Sequence, residues 1–433
     1  MNIANQKSGF LFATHLAFAA IFAVVFFGLI TTPANAVTDG WHIKDDATGG
    51  ECSAIGNWNT GNKTCTLTQD LSQGIIIDNN NIILDGNGRT ITGNNTGNGV
   101  YLSGRTGVTI KNFLIRNFLY GIRSESSQDV VIEGNTISSN SYGISISQGN
   151  NHTLNNNTVS DNQYGGIGIG FSGGNILRNN VVVRNAQFSQ YNLHGIQISN
   201  SNGNTLSDNV ISNNKYGLQL FSIENTTMTA NRIYDNTYNF FLFGTQDSHF
   251  SGNIVDDTNT VDGKPIYYVK NAIGDVYDDS ANIGTFYCIN CRDVTVKNLM
   301  LSKNGTGIFF WNTTGSRVEN INATANEYGI WFQSSHSNMV TGNYGWLGLW
   351  QSRANTIKNH SGEIDLRDAS NGNNVLDNNA RGTIRAIYIE ASHNNIIMGN
   401  TATASRGAGI ELYTSSNNIL KKNKSGGKEN LAI

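Results

Sequence analysis

A unit of about 22 residues recurs along this chain: Tyr-Gly-Ile-x-Ile, a polar stretch, Asn-x-Val or Asn-x-Ile, then another Asn. Copies open at Tyr120-Gly121-Ile122, Tyr142-Gly143-Ile144, Tyr164-Gly165-Gly166-Ile167, His194-Gly195-Ile196, Tyr216-Gly217-Leu218 and Tyr328-Gly329-Ile330. Partner asparagines stand at Asn135, Asn157, Asn180, Asn209, Asn231, Asn253, Asn343, Asn400 and Asn423. The apolar residues alternate with polar ones over runs too short for helices, and the whole chain holds only 2 Pro. One such unit cannot bury its apolar stripe alone, so successive units must stack as coils of parallel strand. The predicted fold is all-β, a right-handed parallel β-helix of about 14–15 coils with an N-terminal cap.

The 433 residues therefore count rungs, not domains. Residues 1–36 read separately, as a signal peptide: Lys7 precedes the apolar run 10–30, and Pro33-Ala34-Asn35-Ala36 puts small residues at the cleavage positions before Val37. An uncleaved anchor is the alternative, since about 20 apolar residues just span a bilayer. No second apolar run follows, so cleavage is expected to leave no membrane segment and a secreted, periplasmic or cell-surface protein. The leader carries one Lys and no acid, which makes the mature balance 27 − 31 = −4. That mild negative charge, with no contiguous basic patch, argues against a nucleic-acid partner.

An oxidising compartment suits the four cysteines. Cys52 and Cys65 are expected to bridge and staple the cap, while Cys288 and Cys291 are expected as a buried or locally bridged pair at an inward position. Residues 37–73 form the cap, covering the edge a terminal coil would expose. The β-helix runs over 74–425, interrupted at 256–285 by an acidic, Tyr-rich protruding loop, and 426–433 is a tail. The chain has 65 Asn and 48 Gly, a bias that suits coil corners. Asn tolerates the left-handed conformation, and its amide both donates and accepts, so identical corners can form ladders along the axis.

The segment Ile75–Gly93, the Gly-Val-Thr-Ile-Lys-Asn at 107–112 and the Tyr-Gly-Ile repeats resemble the NosD-like group of β-helix proteins, which share the carbohydrate-binding and sugar-hydrolase type of repeat. Val261–Tyr268 is similar to a further element of that group. The resemblance covers about residues 50–425 and implies an extracytoplasmic accessory to copper-site maturation of nitrous oxide reductase. Copper asks for Met, Cys or clustered His. Of the histidines after the leader, only His336 and His393 share a register, more than one coil apart.

Two short motifs need a strand followed by a helix: Gly168-x-Gly170-x-x-Gly173 as a dinucleotide fingerprint and Gly170-Phe-Ser172-Gly-Gly174 as a nucleophile elbow. Both fall inside an ordinary coil and are read as structural. The doublets Asp256-Asp257 and Asp278-Asp279 are read as solvated or calcium-binding loop acids, and no other cofactor is called for.

Strand alternation supplies the functional candidates. With Ile308, Ile330, Leu349, Ile364, Ile387 and Ile410 inward, Phe309, Trp331, Trp350, Asp365, Tyr388 and Glu411 should face outward in one column, with Trp311, Arg367, Glu390 and Tyr413 beside them. An exposed row of aromatics would stack sugar rings, so Phe309, Trp311, Trp331, Trp350, Tyr388 and Tyr413 are the expected substrate-binding residues for a polysaccharide or cell-surface glycan. An aromatic stack covered by a loop such as 256–285, or a dimer face, is the alternative to such a platform. Catalysis as a polysaccharide lyase, epimerase or hydrolase is the second function, resting on Asp365, Glu390 or Glu411 with Arg367. The copper-maturation accessory is the third. Sequence alone leaves open whether there is turnover and what the oligomeric state is.

Overall fold

The computed structural model describes residues 40–186 and 194–427. The leader at 1–36 and most of the 426–433 tail lie outside the described residues. The chain forms two compact units, one comprising residues up to Asn231 together with Leu242–Asn253, the other Arg232–Phe241 with Ile254 onward.

In the first unit the coils that open with Asn98–Ser103, Tyr120–Glu125, Tyr142–Ser147, Gly165–Gly170 and His194–Ser199 each supply that six-residue strand and two three-residue strands. Tyr120–Glu125, Val131–Glu133 and Thr136–Ser138 make one coil; Tyr142–Ser147, Thr153–Asn155 and Thr158–Ser160 make the next. Successive coils pair in parallel with no slip, Tyr120 opposite Tyr142, Ile122 opposite Ile144 and Ile132 opposite Leu154. The middle residue of each short strand points inward, so Ile110, Ile132, Leu154, Leu177, Leu206 and Met228 form one fully buried file. Burying each such side chain contributes about 1.5–3 kcal/mol.

The Tyr-Gly signature has a steric origin. A Cβ on Gly143 would lie 2.5 Å from the Gly166 carbonyl oxygen of the next coil. The tyrosines before these glycines line up, Tyr120 stacked on Tyr142 at 5.1 Å and Tyr164 tilted against Tyr142 at 5.5 Å. At the corner between the short strands a second residue type dominates. Asn135, Asn157, Asn180, Asn209 and Asn231 form a buried ladder in which each Nδ2 donates to the Oδ1 of the next, at 2.9–3.0 Å. Each Nδ2 also donates to the carbonyl of an earlier coil, for example Asn180 to Leu154 at 2.9 Å. The exposed asparagines beside them do another job: Asn112, Asn156 and Asn179 hold φ of 59°, 55° and 55°, the left-handed bend that turns the chain.

The cap is more solenoidal than expected. Trp41–Ile43 already pairs in parallel with Ile75–Ile77, and Thr64–Leu67, the second arm of an antiparallel hairpin with Gly56–Asn59, pairs in parallel with Ile83–Asp85. Cys52 and Cys65 are bridged across it, as the spacing predicts.

In the second unit the expected protruding loop at 256–285 is instead a coil. Thr260–Val261 and Lys264–Lys270 form an antiparallel hairpin, and the latter strand then pairs residue for residue with Thr285–Ile289. Alternation explains the outcome: Pro265 occupies the strand start, where its missing N–H is tolerated, and Ile266 continues the buried file. These additional rungs bring the solenoid to about 16 turns, above the 14–15 expected. Cys288 and Cys291 are bridged and belong to the core, which is filled by the stacked Phe310 and Phe332, 4.8 Å apart, and by the isoleucines of each coil. Gly165–Gly170 is a strand followed by a turn containing the buried Ser172, so neither short motif has the helix its chemistry needs.

Candidate functional site in the C-terminal coils

The outward face of the long strands in the second unit carries two rows. Phe309, Trp331, Gly348, Asp365, Tyr388 and Glu411 form the first; Trp311, Gln333, Trp350 and Arg367 lie in the second, where Glu390 pairs with Tyr413. Trp350 therefore stands one row away from its expected place. The coil from Ile330 to Leu347 is only 17 residues long, so Leu347, and not Leu349, is the partner of Ile330. Gly348 takes the place opposite Trp331. A Cβ on Gly348 would lie 2.0 Å from the indole of Trp346, which fills that gap in the row.

The second correction concerns exposure. Phe309, Trp311, Trp331 and Tyr388 lie outside the core cluster yet are buried. Part of the cover comes from a segment far away in sequence: Phe240 packs edge-on against Tyr287 at 5.5 Å, and Phe241 stacks on Tyr328 at 6.0 Å. Tyr328 and Trp346 then close on Trp331, at 5.2 and 6.4 Å. The aromatic half of the face is thus a covered stack, and an open sugar platform over Phe309 and Trp331 is not what this geometry provides. Trp350 is half-buried and Tyr413 is 49% exposed.

Where the aromatic rows end, a polar cluster begins. Arg367 donates from Nη2 to Asp365 Oδ2 at 2.7 Å, and its Nη1 lies 3.9 Å from Glu390 Oε2. Both carboxylates are buried, with side chains 2% and 1% exposed. Tyr388 lies under both guanidinium groups, 5.0 Å from Arg367 and 3.8 Å from Arg385, whose Nε reaches Glu411 Oε2 at 3.2 Å. Asp365 Oδ1 and Arg367 Nε have no hydrogen-bond partner in the structure, while the Glu390 carboxylate faces the Tyr388 phenol and the more distant Arg367 guanidinium. Groups so placed are costly to bury.

The electrostatics follow from burial. Loss of water pushes the Glu390 carboxyl up against the opposing pull of Arg367. The phenol of Tyr388 is likewise raised, first by burial and then by Glu390. Burial disfavours the charge on Arg367, but Asp365 and Glu390 together hold its guanidinium above its ordinary value. Glu363 is pushed up to about 7, by burial first and by Asp365 second. A carboxyl raised in the folded state binds a proton that the unfolded chain has released, so stability is full below the ordinary value of 4.5 and declines as pH rises toward 7. Between pH 4.5 and 7.5 Glu363 should withdraw up to about 3 kcal/mol. Urea unfolding at pH 5 and 7.5 should show that loss in the native protein and a flatter profile in Glu363→Gln.

Sequence reasoning missed Glu363, Asp368, Arg385 and Trp346. A signal for three of them exists: the positions before the inward Ile, which hold Tyr-Gly elsewhere, read Gly345-Trp346, Gly362-Glu363 and Arg385-Ala386 here. The repeat is broken where the cluster is built. The four loop acids contribute nothing to it. Asp256 and Asp278 accept hydrogen bonds from their own turns, at Thr258 and Asn259 and at Ser280.

A solenoid of parallel coils with a covered aromatic stack leading into a buried carboxylate–arginine cluster defines the class, a parallel β-helix repeat protein. The family model described as periplasmic copper-binding protein (NosD) matches residues 55–266, 221–345 and 348–433, and the chain belongs to that family. A search of curated proteins finds no match. Among solved structures it is similar to the A-module of the mannuronan C-5 epimerase AlgE6 from Azotobacter vinelandii, with 16% identity over 78% of this chain and 87% of the other and a TM-score of 0.29. The surface adhesin PfbA of Streptococcus pneumoniae is 12% identical over 90% and 91%, with a TM-score of 0.30. The catalytic domain of a GH87 alpha-1,3-glucanase is 15% identical over 74% and 64%, with a TM-score of 0.35. Likeness of this degree carries nothing about activity.

Copper would need soft or imidazole ligands that converge. Among the described residues no three His, Cys, Asp or Glu side chains do so, and all four cysteines are bridged. His336 Nδ1 and His393 Nδ1 each accept from a backbone N–H, of Arg353 and Ser416. Met228 lies in the core, while Met300, Met339 and Met398 sit on three different coils. These residues do not fit a resident copper ion.

Proposed function

We propose that this is an extracytoplasmic β-helix protein that binds a neutral or amino-bearing polysaccharide at the C-terminal cluster. The observation that carries the reading is the pair of unmatched hydrogen-bonding atoms on Asp365 and Arg367 beside the buried Glu390 carboxylate, flanked by Trp350, Tyr388 and the exposed Tyr413. A carboxylate oxygen short of donors takes a hydroxyl or ammonium donor that displaces its cover, while an aromatic rim takes the C–H face of a ring. Five acids, Glu363, Asp365, Asp368, Glu390 and Glu411, surround two bases, Arg367 and Arg385. Both arginines already face carboxylates, so an added uronate would meet repulsion. The family's periplasmic description agrees with an oxidising location for two disulfides.

Catalysis at the same cluster is the second reading, favoured by one observation: Glu363, held near neutrality, could exchange a proton beside Asp365 and Arg367. Titration calorimetry with chitosan, cello- and galacturonate oligomers separates these possibilities. Chitosan or cello-oligomers should bind, and Tyr413→Ala should weaken them about tenfold, the worth of one aromatic contact. Preference for galacturonate, or affinity untouched by Tyr413→Ala, would refute the binding reading. New reducing ends during incubation would turn it into an enzyme.

A further inference from the structure

The first unit contains a cavity of about 420 Å³ at the corner of its last coils, far in sequence from the C-terminal cluster. Its walls include Asn200, Asn202, Ser222, Glu224, Gln246 and His249. The cavity exists because the regular tight corner is abandoned there. Asn200 and Ser222 make the usual left-handed bends, with φ of 48° each, whereas the next coil inserts Thr245 to Asn253 with a short helical turn at Ser248–Ser251. Asn253 then rejoins the pattern, accepting from the Thr226 N–H at 2.9 Å.

The inserted turn fixes two groups with care. His249 is 9% exposed, and its Nδ1 accepts from the Thr245 N–H at 3.0 Å. Nδ1 therefore presents a lone pair, which puts the ring proton on Nε2. Gly244 leaves room for this packing, since a Cβ there would lie 2.4 Å from His249 Cβ. Glu224 is oriented by Ser248, whose Oγ donates to Oε1 at 2.8 Å. The His249 Nε2 to Glu224 Oε1 distance is 3.9 Å, too long for a hydrogen bond.

A donor and an acceptor at that separation fit a group that both accepts and donates. A hydroxyl oxygen can lie about 2.8 Å from each, accepting from Nε2–H and donating to the carboxylate. A metal ion is not suited, because Nε2 carries the proton and Nδ1 is occupied. Burial also holds the imidazole below its ordinary value, keeping it neutral near pH 7. With Glu224 then the sole charge among the lining residues, an anionic ligand is disfavoured and amide and hydroxyl walls remain to match further hydroxyls.

We propose that this corner is a binding site for one neutral sugar residue, with a hydroxyl bridging His249 and Glu224. The site is separate from the C-terminal cluster and does not depend on that reading. Saturation-transfer NMR with D-glucose, D-galactose, D-mannose and D-glucuronate tests it on the intact protein. At least one neutral hexose should receive saturation, with glucuronate silent. Glu224→Ala should weaken that hexose ~10-fold or more, the usual loss of a hydrogen bond to a charged group, and Glu224→Gln should weaken it less. Tyr413→Ala should leave the signal unchanged. Transfer to no neutral hexose, equal transfer to glucuronate, or binding that survives Glu224→Ala in a folded variant would overturn the assignment. A signal abolished by Tyr413→Ala alone would move the sugar to the other site.

Discussion

Asn180→Ala is expected to lower the stability of the first unit by about 3–5 kcal/mol, measured by urea unfolding. Four groups depend on that one amide. The Asn157 backbone N–H and Nδ2 both donate to Asn180 Oδ1, at 3.1 and 3.0 Å, while Asn180 Nδ2 donates to the Leu154 carbonyl and to Asn209 Oδ1. All lie in a buried file, so alanine strands donors and acceptors that water cannot reach, at about 1–3 kcal/mol each. Asn180→Asp keeps the shape but exchanges the donor for a charge, and it should be at least as damaging. The neighbour is the control: Asn179 is exposed with φ 55°, so Asn179→Ala should cost only about 1–2 kcal/mol for the left-handed bend. Equal costs at the two positions would show that the ladder adds nothing beyond the turn.

Arg367→Ala should destabilise the second unit by about 3–5 kcal/mol at pH 7.5. Asp365 and Glu390 would then keep their negative charges in a buried place with no cation, and Tyr388 would lose one of the two guanidinium groups over its ring. The deficit should shrink as pH falls toward 5, because protonation removes the stranded charge. The triple variant Arg367→Met with Asp365→Asn and Glu390→Gln should recover much of the loss, since replacing a whole buried ionic group is far cheaper than breaking it. A deficit independent of pH, or a triple variant as weak as the single one, would mean that Arg367 acts through packing alone.

The order of coils, the inward files and the Cys52–Cys65 bridge are legible from residue spacing, whereas spacing leaves Cys288 and Cys291 open between a buried and a bridged pair. A parallel solenoid returns to the same corner after each repeat, and a glycine or asparagine is needed there for steric or hydrogen-bonding reasons. Legibility failed where the repeat changed length. The coil leading to Leu347 is 17 residues long, whereas pairing Leu349 with Ile330 presumes 19, and that two-residue difference is what moves Trp350 out of the Trp331 row. The segment 256–285 reads as a loop in the sequence for a related reason: its first strand is entered through an antiparallel hairpin and not through the parallel repeat. The cluster around Asp365 was half visible. Its outward residues followed from alternation, whereas Glu363 and Arg385 sit at the corner before the strand and were marked only by their departure from Tyr-Gly.

By itself the sequence determined that the chain coils, which side chains point in and which corners carry ladders, because these depend on residues one or two positions apart and on a fixed period. Only the tertiary structure decided which outward faces are closed. Phe240 and Phe241 reach the aromatic rows from a strand distant in sequence, through Tyr287 and Tyr328. Alternation along one strand cannot encode that, since cover is supplied by segments distant in sequence.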